Sequence, residues 1–248
     1  MNLQDRVAMI TGGGSGIGRA ISLVLAKDGA KVAVLDLNVK NASGTAREIE
    51  SLGGHSLAAE CDVGSRESCF SAVDEITKRW GRLDILITCA GILIDNVIKK
   101  ITEETWDKVH RINLKGTLFC IQAVQEIMKQ QQYGRILTLA SGAYLGGFGQ
   151  AAYGASKAGV VNLTKVAALE MAKYGVTVNC IAPGLVETPM TAGMPQDAYA
   201  KIAKTIPVGR IAKPEDIAHL ARALVADEAS YITGQIIFVD GGATLGRA

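Results

Sequence analysis

Short apolar runs alternate with longer amphipathic stretches along the whole chain. The runs are rich in Val, Ile and Leu and show no regular polar alternation, which is typical of strands buried on both faces. The longer stretches repeat apolar residues at helical spacing. We therefore predict strands at 7–10, 31–35, 56–59, 83–87, 135–139, 176–181 and 235–239, and helices at 17–28, 39–52, 65–80, 103–131, 152–173 and 214–226.

This alternation predicts an α/β fold, a seven-stranded parallel sheet with helices on both faces. No low-complexity linker or repeat divides residues 1–248, so we expect one doubly wound domain of the Rossmann type. Residues 184–213 interrupt the alternation and contain Pro189, Pro195 and Pro207. A loop of this length inside a compact domain predicts a lid or a specificity element for the substrate.

The composition indicates which binding partners and which cellular compartment to expect. The chain is 48% hydrophobic and 20% charged, and its net charge of +2 comes from scattered Lys and Arg residues. This pattern gives no reason to expect a nucleic-acid or membrane partner. Five cysteines without a Cys-x-x-Cys pair argue against a disulfide framework or a metal site. They favour a reducing compartment, the cytoplasm.

A glycine-rich loop follows the first predicted strand and opens the first predicted helix. Gly12, Gly16 and Gly18 let the backbone turn tightly and approach a pyrophosphate, whose charge then faces the helix N-terminus. We predict that this loop, with Ser15 and Ile17, binds a dinucleotide. The alternative is an ordinary tight turn between a strand and a helix.

Asp36 ends the second predicted strand, eighteen residues after Gly18. A carboxylate at this place accepts hydrogen bonds from the adenosine ribose and repels a 2′-phosphate. Leu37 follows, and no arginine stands beside it to receive that phosphate. The sequence therefore favours NAD(H) over NADP(H), although Lys40 weakens the preference. The alternative role of Asp36 is to cap the next helix.

Tyr153 and Lys157 lie four residues apart in a predicted helix, so their side chains share one face. A free tyrosine has a pKa of about 10 and is a poor base near neutrality. A fixed ammonium nearby stabilises the phenolate. Together with the glycine loop, the pair predicts hydride transfer between a nicotinamide and an alcohol or carbonyl.

With Asn113, Ser141 and Pro183-Gly184, these motifs resemble the short-chain dehydrogenase/reductase family over about residues 5–242. Within it the chain is most similar to the group of 3-oxoacyl-acyl-carrier-protein reductases. The resemblance implies that Tyr153 gives or takes the proton, and that Lys157 favours its phenolate and binds the nicotinamide ribose. It implies that Ser141 holds the substrate oxygen and that Asn113 anchors a proton-relaying water.

Each of these four residues also has a purely structural explanation. Tyr153 would be a buried tyrosine, Lys157 a solvated helix lysine, Ser141 a turn serine and Asn113 a residue that distorts a helix. The order and spacing of all four together favour the reactive role.

The resemblance also implies further cofactor contacts. Asp62 would contact the adenine, Thr188 the carboxamide, and Ala90 and Gly91 the adenosine side. The remaining predicted cofactor contacts are Leu37, Val63, Pro183, Gly184 and Val186. The chain departs from the family at Thr88-Cys89, where the family has Asn-Asn, which puts sheet-stabilising contacts and cofactor affinity in question. We interpret Cys89 as a packing residue because no base lies near it in sequence.

The predicted substrate contacts are largely apolar and offer no arginine clamp for a charged group. They predict a hydrophobic ketone or secondary alcohol. These residues are Ser141, Ala143, Tyr144, Phe148, Tyr153, Leu185, Met190 and Met194. The family resemblance also implies a homotetramer.

Three other functions stay open at this point. The first is an NADP(H)-dependent reductase of 3-oxoacyl thioesters. The second is a non-catalytic NAD-binding regulator on the same fold, because fold does not fix function. The third is a hydrolase, since Gly154-Ala-Ser-Lys-Ala158 approaches a nucleophile-elbow pattern, but it lacks the second glycine.

Overall fold

The computed structural model describes residues 2–245. Its centre is a seven-stranded sheet in the order β3-β2-β1-β4-β5-β6-β7, and every pair of neighbours is parallel. Each predicted strand is present within two residues of its expected bounds. The strands are β1 (Val7–Thr11), β2 (Lys31–Asp36), β3 (His55–Glu60), β4 (Ile85–Thr88), β5 (Gly134–Leu139), β6 (Val176–Pro183) and β7 (Ile236–Val239).

Three of the helices begin at a capping side chain. The side chains of Asn38, Ser65 and Thr102 accept hydrogen bonds from the first-turn N–H groups of the second, third and fourth helices. The helices are α1 (Gly16–Lys27), α2 (Val39–Ser51), α3 (Arg66–Trp80), α4 (Glu103–His110), α5 (Gly116–Gln131), α6 (Ala151–Met171), α7 (Gln196–Thr205) and α8 (Pro214–Val225).

The sheet is buried on both faces, as expected from its continuous apolar strands. On β1, Val7 and Met9 pack into a cluster with α3, α5 and α6. The intervening Ala8 and Ile10 pack into a second cluster with α1, α2 and α8. The predicted α/β architecture, a parallel sheet with helices on both faces, is therefore confirmed.

The predicted helix 103–131 is not one continuous α-helix. A π-helical turn spans Arg111–Lys115 between α4 and α5, and Asn113 lies inside it. At this turn the Thr117 hydroxyl donates to the Asn113 carbonyl at 2.8 Å, and the Asn113 amide bonds outside its own helix. Such single-turn π segments are frequent at functional sites.

The predicted loop 184–213 contains a helix that the sequence reading missed. Pro195 directly precedes α7, and Pro207 follows the residue after its end. Proline is tolerated just before a helix and cannot continue one, so these prolines bracket α7 rather than exclude it.

The strand order reverses between β1 and β4. In parallel sheets, a crevice opens outside the carboxyl ends of the strands at such a reversal, and ligands bind there. The loops after β1 and β4 flank this crevice, and these loops contain the glycine motif and residues 88–91.

Candidate active site

The glycine loop joins β1 to α1 through two residues in the left-handed backbone conformation. Gly12 and Gly16 have φ of 64° and 50°, which favour glycine. A Cβ on Gly12 would lie 2.8 Å from the backbone nitrogen of Ala90, so this glycine also lets the loops after β1 and β4 meet. Helix α1 begins at Gly16, directly after this loop.

Asp36 faces this loop from the end of β2. Its carboxylate accepts hydrogen bonds from the backbone N–H of Gly14 at 3.2 Å and of Asn38 at 3.0 Å. Asn38, and not Asp36, caps α2 with its side chain. The capping alternative for Asp36 is therefore wrong, and the carboxylate is left beside the glycine loop.

Asp62 forms an ion pair with Arg111, a partner that the sequence did not predict. Its carboxylate accepts from the guanidinium of Arg111 at 3.0 Å and from the N–H of Gly64 at 2.8 Å. Val63 beside it is buried in the core. The arginine and the acid lie 49 residues apart in sequence, so only the fold brings them together.

Tyr153 and Lys157 occupy the first turns of α6, on the shared face that their spacing predicts. Lys157 is only 6% exposed, so it is not a solvated surface lysine. Its ammonium donates to the Leu139 carbonyl at 2.7 Å and lies 5.6 Å from the centroid of the Tyr153 ring. The carbonyl at the end of β5 thus holds the Lys157 ammonium near the Tyr153 ring.

Asn113 joins the π-helical turn to two other segments. Its amide oxygen accepts from the Ile92 N–H at 2.8 Å, and its NH₂ group donates to the Ile92 carbonyl at 2.9 Å and to the Ser156 hydroxyl at 3.1 Å. A Cβ on Gly91 would lie 3.2 Å from the Asn113 amide oxygen and 3.7 Å from the Lys157 nitrogen. The loop after β4 therefore lies beside both Asn113 and Lys157.

Ser141 follows β5 and starts a short 3-10 turn, Gly142–Leu145. Its hydroxyl accepts from the Ala143 N–H at 3.2 Å. The turn packs on α6 because residue 154 is a glycine, where a Cβ would lie 2.8 Å from the Ala143 carbonyl. Gly154 follows Tyr153 directly, so Ser141 and Tyr153 belong to two segments in contact.

The segment after β6 closes the other side of the crevice. Gly184 is fixed by its N–H, which donates to the Val239 carbonyl at the end of β7. Thr188 approaches the glycine loop, since a Cβ on Gly16 would lie 3.2 Å from its methyl group. The Val186 side chain is buried in the core, so only its backbone can meet a cofactor.

The predicted substrate residues fall into different environments. Tyr144 stacks on Phe238 of β7, at 5.6 Å between ring centroids, in a small cluster beside β6. Phe148 is 95% exposed and Met190 is 51% exposed. The remaining apolar members are half-buried: Ala143 in the 3-10 turn, and Leu185 and Met194 in the segment after β6. The substrate assignments of all of them stay predictions.

The unusual Thr88-Cys89 pair lies where β4 ends. The buried hydroxyl of Thr88 has no hydrogen-bond partner within residues 2–245. Burial raises the pKa of the Cys89 thiol to about 12, although the Lys157 ammonium opposes this shift. A thiol with this pKa is almost wholly protonated at neutral pH, which agrees with a packing role.

Comparison with known proteins gives a consistent result. The family model described as "Enoyl-(Acyl carrier protein) reductase" matches residues 12–244. The chain is 40% identical to the 3-oxoacyl-acyl-carrier-protein reductase FabG of Thermotoga maritima, over 98% of this chain and 99% of that one. It is 38% identical to the BbsD subunit of (2S)-((R)-hydroxy(phenyl)methyl)succinyl-CoA dehydrogenase of Thauera aromatica, over 99% of both.

The fold is also similar to a solved structure. Levodione reductase superposes with a TM-score of 0.95 at 32% identity, over 98% of this chain and 99% of that one. The chain therefore belongs to the short-chain dehydrogenase/reductase family, and its relatives include 3-oxoacyl reductases. It is an oxidoreductase of the class that uses a nicotinamide cofactor. Within residues 2–245, every helix is too short or too polar to cross a bilayer.

Proposed function

We propose that the protein interconverts a secondary alcohol and a ketone on a mainly hydrophobic substrate, with NAD(H) as cofactor. One juxtaposition carries this proposal. Gly91, in the loop after β4, lies against both Asn113 and Lys157, so the crevice at the strand reversal opens onto the Tyr153 face of α6. A cofactor held by the glycine loop has the reactive pair at the far end of the same crevice.

The residues present fit a dinucleotide. The glycine loop and the N-terminus of α1 would hold the pyrophosphate, because a Cβ on Gly12 would close the gap beside Ala90. Asp36 would bind the adenosine ribose, Asp62 the adenine and Thr188 the carboxamide. When bound, the nicotinamide supplies or accepts the hydride.

The protein itself handles the proton and the substrate oxygen. In reduction, the Tyr153 hydroxyl donates a proton to the carbonyl oxygen, and in oxidation the phenolate accepts the alcohol proton. The buried Lys157 ammonium supports the phenolate. The Ser141 hydroxyl holds the same oxygen where negative charge develops.

The preference for NAD(H) rests on charge at the end of β2. The Asp36 carboxylate faces the glycine loop and would repel a 2′-phosphate. Arg19, the cation in the first turns of α1, is paired with Glu48 at 2.5 Å. Leu37 is exposed and brings no positive charge.

A second candidate is an NADP(H)-dependent reductase of 3-oxoacyl thioesters. Its support comes from two relatives, a 3-oxoacyl-acyl-carrier-protein reductase and a subunit of a dehydrogenase that acts on a CoA thioester. Both candidates use the same reactive residues and differ in the substrate and in the cofactor phosphate.

One assay separates the candidates. Purified protein is screened by the absorbance of the reduced nicotinamide, with NADH and NADPH in parallel, against cyclic and aromatic ketones and 3-oxoacyl-CoA thioesters. The first proposal expects turnover of neutral ketones with NADH. Turnover confined to thioesters with NADPH supports the second candidate. Activity confined to highly charged substrates would contradict the proposed preference for a hydrophobic substrate.

We also propose a homotetramer. One face of α6 packs into the core, where Val160, Thr164 and Met171 are buried. The same helix nevertheless leaves Val166 42% and Leu169 82% exposed, which suits a subunit contact. Light scattering should give four times the mass of the chain, and Leu169→Glu should reduce it.

A further inference from the structure

We propose that Ser156 is a positioning residue for the reaction, acting through Asn113. Its side chain is fully buried. Its hydroxyl accepts a hydrogen bond from the Asn113 amide at 3.1 Å and donates one to the Tyr153 carbonyl at 2.7 Å. One hydroxyl thus connects the π-helical turn to the turn of α6 that carries Tyr153.

The connection continues beyond Asn113. The reciprocal pair of hydrogen bonds between Asn113 and Ile92 fixes the loop after β4. One amide and one hydroxyl therefore hold three segments together: that loop, the π-helical turn and the start of α6. Lys157 follows Ser156 directly, and its ammonium is anchored on the Leu139 carbonyl. Ser156 thereby sets the spacing between the crevice at Gly91 and the reactive pair.

Loss of this hydroxyl would leave a specific defect. In Ser156→Ala, the Asn113 NH₂ group keeps Ile92 but loses one buried acceptor. Buried polar groups without partners are unfavourable, so the amide would rotate or recruit water and release the Ile92 loop. Reacting groups displaced by about 1 Å can lose about 10²-fold in rate.

Thr164 provides a matched control on the same helix. It is also fully buried, its hydroxyl donates to the Val160 carbonyl at 2.8 Å, and it shares a hydrogen bond of 2.7 Å with Thr138. Thr164→Val removes the same kind of hydroxyl at the same burial, two turns beyond Ser156 and away from Asn113. This variant therefore measures the general effect on α6 of losing a buried hydroxyl, separately from any effect on Asn113.

The experiment compares wild type, Ser156→Ala, Ser156→Cys and Thr164→Val. The kinetic comparison rests on the proposed alcohol–ketone activity. We expect Ser156→Ala to lower kcat about tenfold or more, with little change in the ketone KM and the NADH Kd. Ser156→Cys replaces the hydroxyl by a thiol, which is of similar size and a weak hydrogen-bond donor. Its kcat should therefore lie between those of wild type and Ser156→Ala. Thr164→Val should keep the wild-type kcat.

Hydrogen–deuterium exchange tests the same inference without turnover, and so separates its failure from failure of the proposed function. Ser156→Ala should speed amide exchange at 91–97 and 111–115, and Thr164→Val should not. In Asn113→Ala, adding Ser156→Ala should cost little more activity, because the two residues act together. Equal exchange in Ser156→Ala and Thr164→Val, or independent additive losses with Asn113→Ala, would overturn the inference.

Discussion

The backbone N–H of Gly14 donates to the carboxylate of Asp36 at 3.2 Å, so the acid that ends β2 faces the glycine loop. We predict that Asp36→Ala combined with Leu37→Arg shifts the cofactor preference towards NADPH. The change removes a repulsive charge and supplies a guanidinium for the 2′-phosphate, at a position already 65% exposed. The ratio of kcat/KM for NADPH to that for NADH should rise at least about tenfold, the effect of about 1.4 kcal/mol.

Glu60 is the control for this prediction. It ends β3 and pairs in register with Asp36, but within residues 2–245 its carboxylate, unlike that of Asp36, accepts no hydrogen bond from the glycine loop. Glu60→Ala removes the same charge from the neighbouring strand. An equal shift of preference in Glu60→Ala would mean that overall charge, and not the Asp36 site, sets the selectivity.

Tyr153→Phe should abolish most of the activity while leaving the fold and cofactor binding intact. The substitution removes only the hydroxyl that exchanges the proton, a contribution of about 10²–10⁴ in rate. We expect kcat to fall by at least about 10²-fold and NADH to bind with its wild-type Kd, measured by fluorescence. Tyr174→Phe, beyond the C-terminal end of α6, is the control. Unchanged turnover in Tyr153→Phe would show that Tyr153 does not exchange the proton, whereas absence of turnover in the wild type as well would favour the non-catalytic regulator.

The architecture was predictable because it follows from local patterns. Seven apolar runs gave seven strands, and the Tyr153–Lys157 spacing gave a shared helical face. The turn that holds Asn113 was not predictable in the same way. A π-helical turn adds one residue to a helix without changing its apolar spacing enough to be detected, so 103–131 reads as one helix.

Side-chain contacts between residues far apart in the chain are the other feature of the site that the sequence does not predict. Arg111 reaches Asp62 across 49 residues, and Ser156 reaches Asn113 across 43. Neither of these pairings produces a periodic pattern in the sequence from which it could be predicted. Ser156 stood inside a motif already recognised, between Tyr153 and Lys157, but only its burial and its two hydrogen bonds suggest a role.

Thr88→Val should leave the free energy of unfolding unchanged or increase it slightly. The Thr88 hydroxyl is buried without a partner in the described structure, so its removal costs no hydrogen bond, and valine has nearly the same shape. Thr138 pairs with Thr88 in register on β5, and its hydroxyl bonds to Thr164 at 2.7 Å. Thr138→Val should therefore lose about 1–3 kcal/mol in urea unfolding. Equal losses in both variants would contradict this assignment.

The contribution of Asp216 to the stability of the folded protein should be lost as the pH falls below about 4. Hydrogen bonds from the Arg210 guanidinium, and then from the Lys213 N–H, lower the pKa of Asp216 from 3.8 to about 2. The folded pKa lies below the unfolded one, so the stabilisation is complete above about pH 4 and is lost as pH falls towards 2. Because Arg210 is half-exposed, the effect should not exceed about 1 kcal/mol. The Tm difference between wild type and Asp216→Asn should shrink over this range. The difference for Asp74→Asn should not, because Asp74 is exposed and makes no ion pair within residues 2–245. A constant difference for Asp216→Asn down to pH 2 would rule out the ion pair as its source.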